Sequence, residues 1–263
     1  MRLYDTHCHL DVEEFDPDRD AVIARARAAG VHDFLVPGIH RDGWPALIAL
    51  CRRQPGCHPA LGLHPVYLDR HTDAHLNDLD AWLDRERPLA VGEIGLDFAL
   101  KQLDRDRQLQ LFEAQLTLAR DHRLPVVLHC RKAHDAMLDS LKRIRVPGGI
   151  CHAFNGSIQQ AEQYIALGFK LGFGGMLTFE RSSKLRRLAA ELPLQAIVLE
   201  TDAPDLTVAS HQHQRNSPEY LPEVLAALAA IRDMDPASLA AQTTANAEQV
   251  FGPSDLPATT RLT

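Results

Sequence analysis

Length, composition and charge limit what this chain can be. Its 263 residues are 45% hydrophobic, which is enough for one large core, so we predict a single barrel domain over residues 1–252 and a C-terminal tail over 253–263. The net charge of -7 argues against broad, sequence-independent adhesion to nucleic acid, which needs an excess of Lys and Arg. No apolar run has membrane-spanning length, and the first residues lack a signal-peptide pattern, so we expect a cytoplasmic protein without membrane contact.

Short apolar strands alternate with amphipathic helical stretches eight times along the chain. The predicted strands are Leu3 to His9, His32 to Pro37, Pro59 to Leu63, Leu89 to Ile94, Pro125 to His129, Gly149 to Ala153, Phe169 to Phe173 and Ala196 to Thr201. The predicted helices lie near 17 to 29, 42 to 53, 74 to 85, 104 to 122, 132 to 144, 157 to 167, 181 to 191 and 218 to 232. A further helix, about Pro236 to Val250, follows the eighth unit, and the segment from Pro253 is typical of a frayed terminus.

The alternation of strands and helices allows either a closed barrel or an open doubly wound sheet. Polar residues cluster at the predicted C-terminal ends of strands 1, 4, 5, 6 and 8, and only a closed barrel brings those five ends around one mouth. No GxGxxG or GxxxxGK[ST] follows a strand, and the glycines between 172 and 175 predict a turn with close backbone approach. We therefore predict an α/β protein, a (β/α)8 TIM barrel with an additional C-terminal helix.

Six candidate metal ligands lie at these strand ends: His7 and His9 on strand 1, Glu93 ending strand 4, His129 ending strand 5, His152 ending strand 6, and Asp202 following strand 8. The HxH spacing places two imidazoles on one face of an extended strand. Six ligands are too many for one catalytic ion and suit two ions that share a carboxylate. We predict two divalent metal ions per chain, and the four imidazoles favour Zn, Mn, Co or Ni over Mg.

The cysteines and the remaining histidines are not expected to bind metal. Cys8, Cys130 and Cys151 each neighbour a predicted ligand, and strand alternation turns them into the packing between barrel and helices. The five cysteines are odd in number and lack CxxC spacing, which favours reduced thiols. We interpret as solvated the histidines on helices and polar loops, which include His32, His40, His58, His71, His75, His122, His134, His211 and His213.

Several short motifs then appear in a fixed order: DTHCHLD (5 to 11), GLHP (62 to 65), GEIGLDF (92 to 98), LHCRKAHD (128 to 135), CHAFNGS (151 to 157), ETDAPDL (200 to 206), RNSPEYLP (215 to 222) and TANAEQVFG (244 to 252). With these motifs the chain resembles the TatD metal-dependent hydrolases of the amidohydrolase superfamily over essentially its whole length. It is most similar to the bacterial branch with an ETDAPD-type motif.

The resemblance implies that Glu93 bridges two ions. It implies one ion held by His7, His9, Glu93 and Asp202, and a second held by Glu93, His129 and His152. It further implies a 3'-5' exonuclease that removes nucleotides from DNA or RNA, so that a nucleic-acid 3' end is the expected substrate; no obligate protein partner is evident. The chain departs from the common pattern at residues 153–155 and at Phe98-Ala99, which flank the mouth and bear on the substrate.

The catalytic assignments follow from the same chemistry. Asp202 would orient the attacking water and accept its proton, with Glu93 as the shared carboxylate. His64, in GLHP at the end of strand 3, is expected to face the mouth, where it contacts substrate or supports a metal ligand. Arg131 is expected either to contact phosphate or to pair with an acidic neighbour such as Asp97 or Asp135.

Other functions remain open at this point. A dinuclear barrel activates water equally well against carbon, so hydrolysis of an amide, a lactone or an aminoacyl ester is the main alternative. A metal-binding scaffold without turnover is the alternative from another class. The basic residues Arg181, Lys184, Arg186 and Arg187 could guide a polynucleotide, but their spacing also fits an ordinary solvated helix face, which we favour.

Overall fold

The chain forms eight consecutive strand and helix units, and the computed structural model describes residues 1–252. The strands are β1 (Leu3–Asp5), β2 (Val31–Pro37), β3 (Cys57–Leu61), β4 (Ala90–Asp97), β5 (Val126–Arg131), β6 (Gly149–Cys151), β7 (Phe169–Phe173) and β8 (Ile197–Leu199). The helices are α1 (Arg19–Ala28), α2 (Trp44–Arg53), α3 (Asp73–Glu86), α4 (Arg105–Asp121), α5 (His134–Arg143), α6 (Ile158–Ala166), α7 (Ser183–Glu191), α8 (Leu221–Arg232) and α9 (Pro236–Phe251).

The eight strands form one parallel sheet in the order β1 to β8. Beyond the end of β1, the Thr6 backbone N–H donates to the Leu199 carbonyl at 3.1 Å and thereby joins the first strand to the last. Parallel strands connected by helices close in this way into a barrel whose loops meet at one mouth. The predicted (β/α)8 barrel with an additional C-terminal helix is confirmed.

Alternate strand residues fill the inside of the barrel and the helix interface, as the pleat requires. One buried cluster takes a single residue from each of seven strands, including Tyr4, Leu35, Val127 and Ile150, and it also contains Phe251 of α9. Helix α9 therefore covers the end of the barrel opposite the mouth. Its buried Asn246 donates through Nδ2 to the carbonyls of Leu194 and Ile197, at 2.8 and 2.7 Å, and fastens the helix beneath β8.

Seven of the eight strands differ from the predicted bounds at one end or both, and the differences at β1 and β4 bear on the predicted ligands. Strand β1 ends at Asp5, so the HxH pair follows the strand, but residues 6–9 keep strand-like bonds: Cys8 N–H donates to the Leu35 carbonyl at 3.1 Å. Strand β4 continues to Asp97 because Gly95, at φ +151°, passes so close to His129 that a Cβ would lie 2.0 Å from its carbonyl oxygen. The prediction that Glu93 ends β4 is therefore wrong.

The predicted helix starts of α4 and α6 have side-chain caps. The Ser157 hydroxyl and the Gln160 side chain form a capping box at the start of α6, and the Asp104 carboxylate accepts from Arg107 N–H at the start of α4. No helix within residues 1–252 is both long and apolar enough to cross a membrane. The predicted tail over 253–263 lies outside the described residues, and the division at 252 stays a prediction.

Candidate metal centre

The barrel brings all six predicted ligands to one place at its mouth. His7 and His9 follow β1, Glu93 lies within β4, and His129 lies two residues before the end of β5. His152 follows β6 directly, and Asp202 comes three residues after β8. Their donor atoms form overlapping groups that could hold a metal: His7 with Glu93 and His152, and His7 with His9 and Asp202.

One oxygen of the Glu93 carboxylate faces the residues that follow β1 and β8. Its Oε2 atom lies 3.2 Å from His7 Nε2 and 3.4 Å from His9 Nε2. Asp202 Oδ1 completes this group at 3.5 Å from His7 Nε2 and 3.7 Å from His9 Nε2. Two imidazole nitrogens and two carboxylate oxygens thus surround one point, which is a suitable donor set for a divalent ion.

The other oxygen of Glu93 faces β3, β5 and β6. Its Oε1 atom lies 3.0 Å from His129 Nδ1, 3.1 Å from His152 Nε2 and 3.2 Å from His64 Nε2. Glu93 is 2% exposed and therefore lies between two sets of nitrogen atoms with almost no contact with water. A carboxylate in this position can be shared by two ions.

The protons on the ring nitrogens decide which imidazoles can be ligands. His9 Nδ1 lies 3.2 Å from the Pro37 carbonyl oxygen, and His129 Nε2 lies 3.2 Å from Asp97 Oδ2. These acceptors hold the ring proton on the outer nitrogen, so that the inner nitrogen presents a lone pair to the site. Asp97 is therefore a positioning partner of His129.

In His64 the ring proton is on the nitrogen that faces the site. Its Nδ1 accepts the Val66 backbone N–H at 3.1 Å, so the proton of the neutral ring is on Nε2, the nitrogen that faces Glu93. Burial lowers the pKa of His64 to about 4, which keeps the ring neutral. His64, Glu93 and His129 lie close enough together to form a possible metal-binding group. However, His64 Nε2 carries a proton and offers a hydrogen-bond donor, so it has no lone pair for a metal ion.

Two buried carboxylates that the sequence analysis did not assign to the site contact residues next to the candidate ligands. Glu200, which is fully buried, accepts the Ala153 N–H at 2.6 Å and lies 3.6 Å from His152 Nδ1. Asp5 accepts from the Thr201 hydroxyl at 2.6 Å and from the backbone N–H of His7 at 3.3 Å. Asp5 and Glu200 both belong to the motifs quoted above. The position of Glu200, two residues before the predicted ligand Asp202, is a sequence signal that could have identified it.

Burial and charge shift the pKa values in the site in ways that favour cations. Burial alone would raise the pKa of Glu93, but the His64, His7 and His152 rings around it lower that pKa well below its usual range. Burial disfavours charged His9, yet the nearby carboxylates of Glu93 and Asp202 outweigh it and raise the pKa of His9 to about 9. The buried carboxylates thus favour positive charge beside them.

The donor set fits two divalent ions. The carboxylate at the centre is buried and shared, and at least two nitrogens or oxygens besides it converge on each side. No cysteine enters these groups: Cys8, Cys130 and Cys151 are buried in the core that also packs against the helices, and all five cysteines are free thiols. The structure therefore agrees with the prediction that the thiols face away from the site.

The remaining predicted residues are placed as follows. Arg131 donates to Asp97 Oδ2 at 3.2 Å, while its side chain stays 55% exposed at the mouth. His211 stacks on Tyr220 with ring centroids 3.9 Å apart and joins none of the candidate ligand groups. His71 and His134 are buried rather than solvated, which corrects the prediction: His71 Nε2 contacts the His64 carbonyl oxygen, and His134 contacts Tyr164 and Cys130.

Comparison with known proteins gives close matches over the whole described chain. A relative from Escherichia coli (strain K12), named an uncharacterized metal-dependent hydrolase YjjV, is 42% identical over 248 residues, which are 93% of this chain and 95% of the relative. A relative from Salmonella typhimurium, named a 3'-5' ssDNA/RNA exonuclease TatD, is 36% identical over 262 residues, which are 95% and 98% of the two chains.

Structural comparison agrees with the sequence matches. The crystal structure of YjjV, described as a TatD homolog from Escherichia coli, superimposes with a TM-score of 0.92 at 40% identity and covers 97% of this chain and 99% of its own. The family model for TatD related DNase matches residues 4–252. The resemblance stated from the motifs is confirmed: the chain belongs to the TatD related DNase family and is a metal-dependent hydrolase that acts on ester bonds.

Proposed function

We propose that this enzyme is a 3'-5' exonuclease that removes nucleotides from single-stranded DNA or RNA with the help of two divalent ions. The observation that carries the proposal is the position of Glu93, whose two oxygens each face a separate set of donors 3.0 to 3.4 Å away. Two-metal sites of this kind are typical of phosphoester hydrolysis, because two cations can stabilise charge on both reacting oxygens. Relatives that are 36% and 37% identical are named 3'-5' ssDNA/RNA exonucleases, which supports the substrate class.

The ligands divide between the two ions at Glu93. One ion would be held by His7, His9, Glu93 and Asp202, and the other by Glu93, His129 and His152. The bound ions supply positive charge that polarises phosphate and lowers the pKa of water. Zn, Mn, Co and Ni suit the nitrogen-rich ligand set better than Mg.

Asp202 is the proposed proton acceptor. In the metal-free protein, burial raises its pKa to about 6, against the lowering influence of His152 and His9. A carboxylate within the ligand group is close enough to accept the proton of an attacking water. Its backbone has φ +60°, an uncommon angle for a non-glycine residue, and its N–H donates to the His7 carbonyl at 2.8 Å. This backbone bond fixes the carboxylate beside the histidines.

His64 and Arg131 are the proposed substrate contacts. His64 Nε2 carries a proton that faces the site, so it can donate to a phosphate oxygen there. Arg131 keeps its guanidinium 55% exposed beside the mouth while Asp97 orients it, which leaves N–H groups for a second phosphate contact. Neither residue is needed to hold an ion, so their loss is expected to weaken substrate binding more than metal binding.

The proposal is tested with Asp202→Asn and the matched control Asp139→Asn, whose carboxylate lies 3.7 Å from Lys142 on the outer face of α5. Each variant is loaded with Mn or Zn, and the stepwise shortening of a 5'-labelled single strand is followed. An amide cannot accept a proton, so Asp202→Asn is expected to lose about 100- to 10,000-fold in kcat. Asp139→Asn is expected to match the wild type.

Two outcomes would contradict the proposal. Wild-type turnover by Asp202→Asn, with metal content confirmed by elemental analysis, would show that another group accepts the proton. An intact strand with the wild-type enzyme under every metal would reject the nuclease. Cleavage of a carboxyl ester or amide under the same conditions would then establish the acyl hydrolase, and no turnover on either panel would favour a metal-binding scaffold.

A further inference from the structure

Two cavities of different size meet at the metal centre. The larger has a volume of about 770 Å³ and extends from the centre over the ends of β5 to β8. The smaller has a volume of about 250 Å³ and lies over β1 to β4. His129, His152 and Asp202 line both cavities, so a molecule that reacts at the metals can occupy both at once.

The larger cavity carries the positive charge. Arg131, Arg181 and Lys184 line it, together with the exposed Asn155 and the hydroxyls of Ser182 and Ser183 at the start of α7. The Arg181 guanidinium lies over the Phe179 ring, 4.7 Å from its centroid, and forms no ion pair with any residue that the structure describes. Lys184 Nζ donates to the Asn155 carbonyl, an uncharged partner, and so keeps its charge available.

The four basic residues between 181 and 187 were predicted to lie on one solvated helix face. In the structure they fall into two pairs with different surroundings. Arg181 and Lys184 line the cavity. Arg186 donates to the Leu177 carbonyl at 3.0 Å, and Arg187 is paired with Glu191 of the same helix at 3.7 Å. Neither of the latter two lines the cavity, so Arg187 is a matched control on the same helix for any effect of the other cations.

The smaller cavity has the opposite character. Its lining contains no Lys or Arg, and beyond the metal ligands its charged members are the carboxylates of Glu14 and Asp205, of which Asp205 also lines the larger cavity. Its other members include Val66 and Tyr67, which offer apolar and aromatic surface. A neutral ring system is favoured there, because aromatic side chains can stack on a base, whereas an extra phosphate would meet two negative charges.

We propose that the smaller cavity holds the terminal nucleoside of the strand and that the larger cavity holds the phosphates that precede the scissile one. The inference rests on the proposed function. It assigns the parts of the substrate on either side of the scissile phosphate to the two cavities. In a strand with a free 3' hydroxyl, the terminal nucleoside has no phosphate beyond the scissile one, while the rest of the strand has one phosphate per nucleotide. The charges of the two cavities match this asymmetry.

Arg181→Gln combined with Lys184→Gln tests the larger cavity, with Arg187→Gln as the control. On a 12-nucleotide single strand with a 3' hydroxyl, the double variant is expected to raise KM about 5- to 30-fold with little change in kcat, because two phosphate contacts are lost. Since each contact contributes about 0.7 to the dependence of log affinity on log salt for single strands, the slope for KM is expected to fall by about 1.4. A dinucleotide, which has only the scissile phosphate, is expected to be insensitive.

The smaller cavity is tested with the same strand carrying a 3' phosphate. We expect kcat/KM for the strand with a 3' phosphate to be at least about fivefold lower than for the strand with a 3' hydroxyl. In Glu14→Gln the difference in kcat/KM between the two strands is expected to be smaller. A double variant that matches Arg187→Gln on the long strand, or that loses as much on the dinucleotide, would overturn the assignment of the larger cavity. Equal rates on both 3' ends would overturn that of the smaller cavity. A wild type that cleaves no strand would instead reject the proposed function.

Discussion

Replacing Gly172 with alanine tests whether the space beside Glu200 is required by the metal centre. The backbone of Gly172 lies outside the left-handed region, so alanine is not excluded by its backbone angles. A Cβ at this position would, however, lie 2.0 Å from Glu200 Oε2 and 2.6 Å from its Cδ. Glu200 is fully buried, accepts the Ala153 N–H and faces His152, so its carboxylate has no solvent-exposed position to move into.

The size of the effect follows from these distances. Ordinary contact begins at 3.4 Å, so the carboxylate or the strand must move by about 1.4 Å. Overpacking of a core costs about 1 to 3 kcal/mol, and disturbing a hydrogen bond to a buried carboxylate costs about 1.5 to 3 kcal/mol. We expect Gly172→Ala to lower the free energy of unfolding by about 3 kcal/mol, which corresponds to a fall in Tm of about 6 to 12 °C.

The metal centre is expected to change as well. Glu200 Oε1 lies 3.6 Å from the outer nitrogen of His152, and loss of a carboxylate beside a metal-binding histidine typically lowers metal affinity or activity about 10- to 100-fold. Thermal unfolding with and without chelator and titration of the metal-free protein with Zn measure the two effects. Gly174→Ala is the control, because the atom nearest to its Cβ would be the Glu200 carbonyl oxygen at 3.2 Å, which needs only a small adjustment.

A double-mutant cycle identifies the cause. With Glu200→Ala the obstructing carboxylate is gone, so the further cost of Gly172→Ala should fall to that of Gly174→Ala. If Gly172→Ala lowers Tm no more than Gly174→Ala does, the close approach has no energetic consequence. If its cost is the same with and without Glu200, the clash is not with the carboxylate, and the reasoning is refuted.

The remaining predictions concern other parts of the barrel. Asp97→Ala removes the acceptor of His129 Nε2, so we expect the affinity for one of two ions to fall about 10- to 100-fold, measured by competition with a chelator. Asn246→Ala leaves the carbonyls of Leu194 and Ile197 without their donor, so we expect about 2 to 3 kcal/mol lower stability in urea unfolding with unchanged kcat, since α9 lies opposite the mouth. The assignment of Asp97 would be contradicted if Asp97→Ala lowered stability but left metal affinity unchanged. The assignment of Asn246 would be contradicted if Asn246→Ala abolished activity.

Much of the fold could be predicted from the sequence because short, largely apolar strand segments alternate regularly with helical segments along the chain. Strand β7 was predicted with its observed bounds, Phe169–Phe173, and helix α9 within one residue of its end. The strand ends at the mouth were less predictable. There Gly95 continues β4 instead of ending it, because the approach of the His129 carbonyl is a tertiary contact that no local pattern records.

The metal site shows the same division between local and tertiary information. The six candidate ligands could be selected from strand positions, since chemistry-bearing residues at strand ends must share one mouth. The tautomer of His64 could not be predicted from the sequence, because it depends on the hydrogen bond that Nδ1 accepts from the Val66 N–H. Glu200 was also missed, since its role requires the close approach of Gly172, which lies 28 positions earlier in the sequence.

The asymmetry of the mouth is consistent with the proposal that an acidic protein acts on an acidic substrate. A net charge of -7 opposes broad adhesion to polynucleotides. Three cations nevertheless line the larger cavity, whereas no Lys or Arg lines the smaller one, whose carboxylates outside the metal ligands are Glu14 and Asp205. Binding then depends on a strand that ends at the metals, since a strand continuing through both cavities would bring phosphates against Glu14 and Asp205. This arrangement favours cleavage at an end over cleavage within a strand without any contact to a particular base.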